Sequence, residues 1–229
     1  MDSMLVLPGA IAIGLSLGLL GSGGSILTVP VLVFLIGQDE KTAIAGSLFI
    51  VGSIALAGGL QFLRAGFIQW RSVLIFGLPG MFGTYLGAFL AAYVSGVMQL
   101  ALFALVMLVA SYFMLRPLDL QHADATPRAT WKIASDGLIV GIITGLVGVG
   151  GGFLIVPALV LLGGLGMHQA VATSLVIIAL KSFSGFYKYL DVLEKQSLEL
   201  DWNALLIVTA LGIAGCFAGS RLERRLPQD

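Results

Sequence analysis

Polar and apolar positions along this chain separate into long blocks. Residues 3–38, 42–63, 72–115, 137–180 and 202–220 hold no Asp, Glu, Lys or Arg, and these windows are 36, 22, 44, 44 and 19 residues long. A bilayer crossing takes about 20 predominantly apolar residues, so the blocks predict an all-α membrane protein, a polytopic helical bundle with roughly seven crossings. A spanning β-barrel does not fit, because barrel strands are about ten residues of alternating polarity. The first block has no basic residue before it and no small-residue cleavage site after it. It reads as a retained span, not a signal peptide.

The blocks repeat. Shifting the sequence by 127 residues lays positions 18–51 over 145–178 without a gap, and 17 of the 34 pairs are identical. Gly21, Gly23, Gly24, Val29 and Pro30 fall on Gly148, Gly150, Gly151, Val156 and Pro157. After a five-residue insertion the match resumes at an offset of 132, with Trp70 on Trp202 and Gly80, Gly83 and Gly87 on Gly212, Gly215 and Gly219. Internal repeats of this kind are a common plan of secondary transporters. The organisation predicted is a first repeat over 1–115, a polar linker over 116–136 and a second repeat over 137–229. Each half opens with a Gly-interrupted apolar segment (5–36; 139–162). A helix follows from near Thr42 or Gln169, then a third carrying the GxxGxxxG spacing (72–92; 203–222). The first half adds a fourth helix, 98–115. The second half stops about where its counterpart would begin, so the chain reads as an eight-segment plan with the last segment absent.

Composition agrees with the blocks. Charged residues make up 10% of the chain, against roughly 25% in soluble domains. That excludes a soluble enzyme and a nucleic-acid binder. Net charge is zero, and the single cysteine, Cys216, supports no intrachain disulfide.

The segments Gly21-Ser22-Gly23-Gly24-Ser25 and Gly148-Val149-Gly150-Gly151-Gly152 lie inside apolar runs. The first run, 5–36, is long for one crossing and short for two, so a broken helix or a re-entrant hairpin fits better than a straight helix. In hydrocarbon an unpaired backbone group costs several kcal/mol, so unwound backbone persists only against protein or a water-filled cavity. A half-helix starting after each break would present free N–H groups and a dipole that favour an anion. Pro30 and Pro157 follow within two turns and keep that half-helix short or bent. For Gly80, Gly83, Gly87 and their counterparts, close helix packing is the better reading.

Lys181 is the only charge well inside an apolar helix. A charge at that depth costs at least roughly 2.5 kcal/mol on insertion scales and faces a cavity or a partner; the bland reading is a lysine snorkelling to headgroups. Helical spacing puts Ser174, Lys181, Ser184 and Lys188 on one stripe that could line an anion path. The first repeat has Ile54 at the position of Lys181. Ser47 and Ser174 are matched hydroxyls of the two repeats, with Thr173 beside the second; they could face the breaks or bond helix to helix. No acidic residue lies deep in a span, which argues against a carboxylate proton relay or sodium site and leaves a proton carried by the substrate as a means of coupling. His122 and His168 have no companion ligands, so no metal, cofactor or catalytic site is expected. Trp70 and Trp202 read as interfacial anchors, and 188–201, with six charges, as a solvated loop.

The paired strings GLLGSGGSILTVPVL and GLVGVGGGFLIVPAL, with AIAGSLFIV and AVATSLVII, make the chain resemble the sulfite exporter TauE/SafE family of bacterial and archaeal membrane proteins. The resemblance implies a transporter of small sulfur-containing anions, such as sulfite or an organosulfonate, in the cytoplasmic membrane. The expected partners are that anion and the lipid bilayer, compatible with a homo-oligomer. The expected binding residues are Gly21, Ser22, Gly23, Gly24, Ser25, Ser47, Gly148, Gly150, Gly151, Gly152, Thr173, Ser174 and Lys181. The alternative is an accessory or structural membrane subunit that needs a partner chain. If each broken segment crosses once, with the N-terminus cytoplasmic, basic residues favour that orientation by seven to four. If the segments are re-entrant, the repeats are inverted.

Overall fold

A computed structural model of the chain describes residues 13, 24–63, 66–115, 129–161 and 164–223. No strand occurs among them. The helices are α1 (Gly24–Pro30), α2 (Glu40–Leu63), α3 (Trp70–Ala91), α4 (Gly96–Leu115), α5 (Thr130–Val147), α6 (Gly152–Leu161), α7 (Met167–Lys195) and α8 (Trp202–Glu223). Five of them, α2, α3, α5, α7 and α8, are long and apolar enough to cross a membrane.

Local chemistry sets the ends. The Asp39 carboxylate accepts from the Lys41 N–H and that of Asp201 from the Ala204 N–H, each at 3.0 Å, capping α2 and α8. Both α3 and α8 open on their tryptophan, Trp70 and Trp202, and both rings are about half exposed. Pro79 would clash with the carbonyl four residues back in a regular helix; the turn before it, Val73–Gly77, widens to a π-helix. A second π turn, Val31–Leu35, follows Pro30.

Two stretches differ from the sequence expectation. Residues 130–136, assigned to the linker, form the first turns of α5. Residues 188–195, assigned to a solvated loop, form the last turns of α7. Lys188 is only 9% exposed there, because its ammonium pairs with Asp191 at 2.8 Å and lies 5.6 Å from the ring centres of Tyr85 and Phe89. A charge run looks solvated until its aliphatic stems find a neighbouring helix.

The contacts give the helix directions. Phe76, Gly80 and Thr84 of α3 meet Gly137, Gly141 and Gly145 of α5, so these two run parallel. Gly77, Gly80 and Thr84 meet Ile177, Lys181 and Gly185, so α7 runs the same way. Leu48, Gly52 and Gly58 of α2 meet Gly185, Ser182 and Leu175, so α2 and α7 are antiparallel. Gly46, Ile54 and Gly58 meet Leu205, Gly212 and Cys216, so α8 runs with α2. Counterpart helices thus point in opposite directions. Contacts recur with the halves exchanged: Gly58 on Leu175 and Gly185 on Leu48, then Gly80 on Lys181 and Gly212 on Ile54. With α5 and α7 parallel, the short α6 between them must carry the chain back. The second broken segment folds back on itself as a helical hairpin of α5 and α6.

Glycine makes the α3–α5 seam. A Cβ on Gly83 would strike the Leu138 carbonyl, one on Gly87 the Ile142 carbonyl, and one on Gly141 the Gly80 carbonyl. The two backbones touch, as small residues permit in membranes. The outside is apolar: Leu74, Phe82, Leu105, Leu108 and Leu206 are each more than half exposed. The inside holds Ser47, Thr84, Gln99, Thr144, Lys181 and Ser182. This inversion of soluble-protein logic suits a lipid solvent. Replacing Gly83 with Ala should destabilise the bundle by about 1–3 kcal/mol through overpacking. Gly59→Ala, whose added carbon would sit at an ordinary 3.4 Å from Val176, should not. Thermal melting in detergent compares the two.

Candidate functional site

Helix α5 ends at Val147 because Gly148 turns left-handed, φ 77°, with its N–H donating to the Thr144 carbonyl at 2.9 Å. Gly151 is left-handed too, φ 72°. An L-residue resists that conformation, and here the space is also taken. A Cβ on Gly148 would strike Ile44 and one on Gly151 would strike Thr144. A Cβ on Gly150 would lie 2.6 Å from Val51 and 3.0 Å from Ile178. Val51 and Ile178 are the same position in the two repeats. The break therefore rests where α2 and α7 cross.

The loosened backbone needs partners, and the helices around it supply them. The Ser47 hydroxyl lies within donating reach of the Ile44 carbonyl, at 2.7 Å, and of the Gly148 carbonyl. Two residues earlier the Leu146 carbonyl, orphaned by the helix end, accepts from the Tyr189 hydroxyl at 3.3 Å. Tyr189 accepts in turn from the buried Gln99 amide at 3.3 Å. Leu154 and Ile155 donate to the Gly151 carbonyl and start α6. The N–H groups of the first turn of a helix have no intrahelical acceptors.

Two side chains approach the start of α6 from α7. Lys181 is 1% exposed, so it does not snorkel. Its Nζ lies 3.6 Å from where a Cβ on Gly151 would stand, and its stem crosses the face of Gly80. The Nζ has no hydrogen-bond partner among the described residues. The same holds for the buried Ser182 Oγ, 3.3 Å from the Cβ position of Gly150. Leaving a buried polar group unsatisfied costs about 1–3 kcal/mol, and more for a charge. Two adjacent orphans beside a helix N-terminus make a site suited chemically to an anion.

The structure brings Ser47, Gly148, Gly150, Gly151, Gly152 and Lys181 together. It does not bring Thr173 and Ser174 to this break. The Thr173 hydroxyl accepts from the Gln69 N–H at 3.0 Å, at the start of α3, and Ser174 donates within its own helix to Val171 at 2.8 Å. Ser25 is buried near the start of α1. Gly21, Ser22 and Gly23 lie outside the described residues, and α1 starts at Gly24. Ser184, on the proposed stripe, donates to the Met81 carbonyl of α3 at 3.0 Å. Sequence reasoning missed Ser182, Gln99 and Tyr189. Only the repeat offered a signal for Ser182: its counterpart is Ala55. No group of side chains able to hold a metal ion occurs among the described residues.

The family model described as sulfite exporter TauE/SafE matches residues 6–229. A protein of Xylella fastidiosa named a probable membrane transporter is 32% identical over 220 residues, covering 93% of this chain and 82% of its own. YunE of Bacillus subtilis, also named a probable membrane transporter, is 32% identical over 248 residues, covering 97% of this chain and 89% of its own. A probable membrane transporter of Methanocaldococcus jannaschii is 27% identical, covering 82% of this chain and 74% of its own. No solved structure matches the chain.

Ser47→Ala would leave the Gly148 carbonyl without its hydroxyl donor and should cost about 1–3 kcal/mol. Ser174→Ala should cost less, since it removes only a bond within its own helix. Melting temperatures in detergent give the comparison.

Proposed function

As the chain belongs to the sulfite exporter TauE/SafE family of membrane transporters, we propose that it carries a small sulfur-containing oxoanion, such as sulfite or an organosulfonate, across the cytoplasmic membrane. The anion binds at the second glycine break, between the start of α6 and Lys181. The observation that carries this reading is the buried Lys181 Nζ beside Gly151, without a partner among the described residues. An anion there supplies the missing counter-charge. It also takes the N–H groups that open α6, ahead of the bonded Leu154 N–H, where the helix dipole favours negative charge. The glycines leave those groups uncovered. A charge-assisted bond from the lysine contributes about 1.5–3 kcal/mol.

Counterpart helices that run in opposite directions support alternating access. In inverted-repeat transporters one repeat rocks against the other around a fixed site near the midplane. Here α2 and α7, the crossing pair, are counterparts, and the break rests on their crossing. Lys181 sits midway along α7, with fourteen residues on either side. The scarcity of deep carboxylates leaves the anion as the charged species that the site accommodates.

The test is flux by purified protein in liposomes across sulfite, thiosulfate, sulfate and sulfonates. Saturable flux of at least one is expected. Lys181→Met should reduce it at least about tenfold, the equivalent of 1.4 kcal/mol, with no loss of thermal stability, since the change removes an unpaired buried charge. Unchanged flux in that variant would take Lys181 out of the mechanism. No flux from the wild-type protein would favour an accessory subunit that works with a partner chain.

A further inference from the structure

Ser182 and Thr209 are the buried helical hydroxyls without a hydrogen-bond partner among the described residues, and Ser182 is the one that lies beside a glycine of the break. Thr84, Ser135, Thr144 and Ser174 each donate to a carbonyl three or four residues back in their own helix, and Ser47 has such a carbonyl, that of Ile44, within reach. That bond is available to any serine in a helix and needs no partner from elsewhere. Ser184 donates across to α3. Ser182 is fully buried, yet its Oγ makes neither kind of bond among the described residues. It lies beside Gly150, while the Nζ of its neighbour Lys181 lies beside Gly151. Two consecutive residues of α7 thus present two unsatisfied polar atoms to two consecutive glycines of the break. The first repeat has Ile54 and Ala55 at these positions. Charge and hydroxyl therefore occur together in one repeat and are both missing from the other.

We propose that Ser182 is a specificity-determining residue: its hydroxyl takes one oxygen of the bound anion while the Lys181 ammonium meets another. This rests on the anion site proposed above. An ammonium has three rotatable donors and acts nearly as a point charge, whereas a hydroxyl donates one proton in one direction. An anion with two oxygens on one centre satisfies both groups at once. A single-atom anion is drawn to the ammonium and gains little from the hydroxyl. Ser182 therefore separates oxoanions from halides, and Lys181 binds both. The close approach of Gly52 to the Ser182 Cβ, 3.1 Å from its own Cβ position, holds α7 against α2 at this level and fixes where the hydroxyl stands.

The test uses purified full-length protein in liposomes, with sulfite flux as the signal and chloride as competitor. Ser182→Ala removes one oxygen and adds nothing, so folding should survive, and a melting curve checks it. The half-saturating sulfite concentration should rise about tenfold while the chloride inhibition constant stays unchanged. Ser182→Cys, a similar shape with a weaker donor, should fall between. Sulfite and chloride constants that both stay at wild-type values, or that rise together, would overturn the role of Ser182. If Lys181→Met then still weakens both anions, the anion site itself stands. Wild-type protein that shows no saturation by sulfite or chloride would overturn both.

Discussion

Breaking a helix inside a bilayer exposes peptide groups to a solvent that cannot bond them, and each unpaired group costs several kcal/mol. The second repeat interrupts its first helix at residues 148–151, and the architecture around that point answers the cost. Gly148 turns the chain and bonds back to Thr144. Ser47 covers the Gly148 carbonyl from α2, and Tyr189, held by Gln99, covers that of Leu146 from α7. The side chains of Ile44, Val51 and Ile178 wall the loop so closely that only hydrogen fits at the glycines. These donors and walls come from α2, α4 and α7. The break is stable only because those helices are packed where they are.

The packing of α3 against α5 through glycine serves the same end. It brings α3 close enough for Gly80 to pass the stem of Lys181, so a long cationic side chain can lie inside a bundle with no polar surface to reach. Gly212 and Ile54 make the matching contact in the other half without a charge. The two halves share a backbone plan and differ in what they place beside it. In the proposed site, one lysine and one serine, both of the second half, supply the polar groups.

Several features were legible because they depend on local pattern. Charge-free windows marked the helices, since every residue facing lipid must be apolar. The third helices open at Trp70 and Trp202, which the repeat had already paired. Gly80, Gly83 and Gly87 read as packing residues, and they meet the α5 backbone. Their partners Gly137, Gly141 and Gly145 recur every four residues, but spacing alone does not say which helix such a face meets. The 188–201 run misled for the opposite reason: its charges were visible, while the rings of Tyr85 and Phe89 that shelter Lys188 belong to another helix.

The sequence by itself determined that the chain is a helical membrane protein of two related halves, with a helix that must break at clustered glycines and a single deep charge. Each of these follows from composition and spacing along one strand of chain. Only the tertiary structure decided that the halves run in opposite directions, that Lys181 lies beside Gly151, and that Ser182 has no hydrogen-bond partner among the described residues. Those facts depend on which helix lies across from which, and at what register. A serine or a glycine has no role until something stands opposite it.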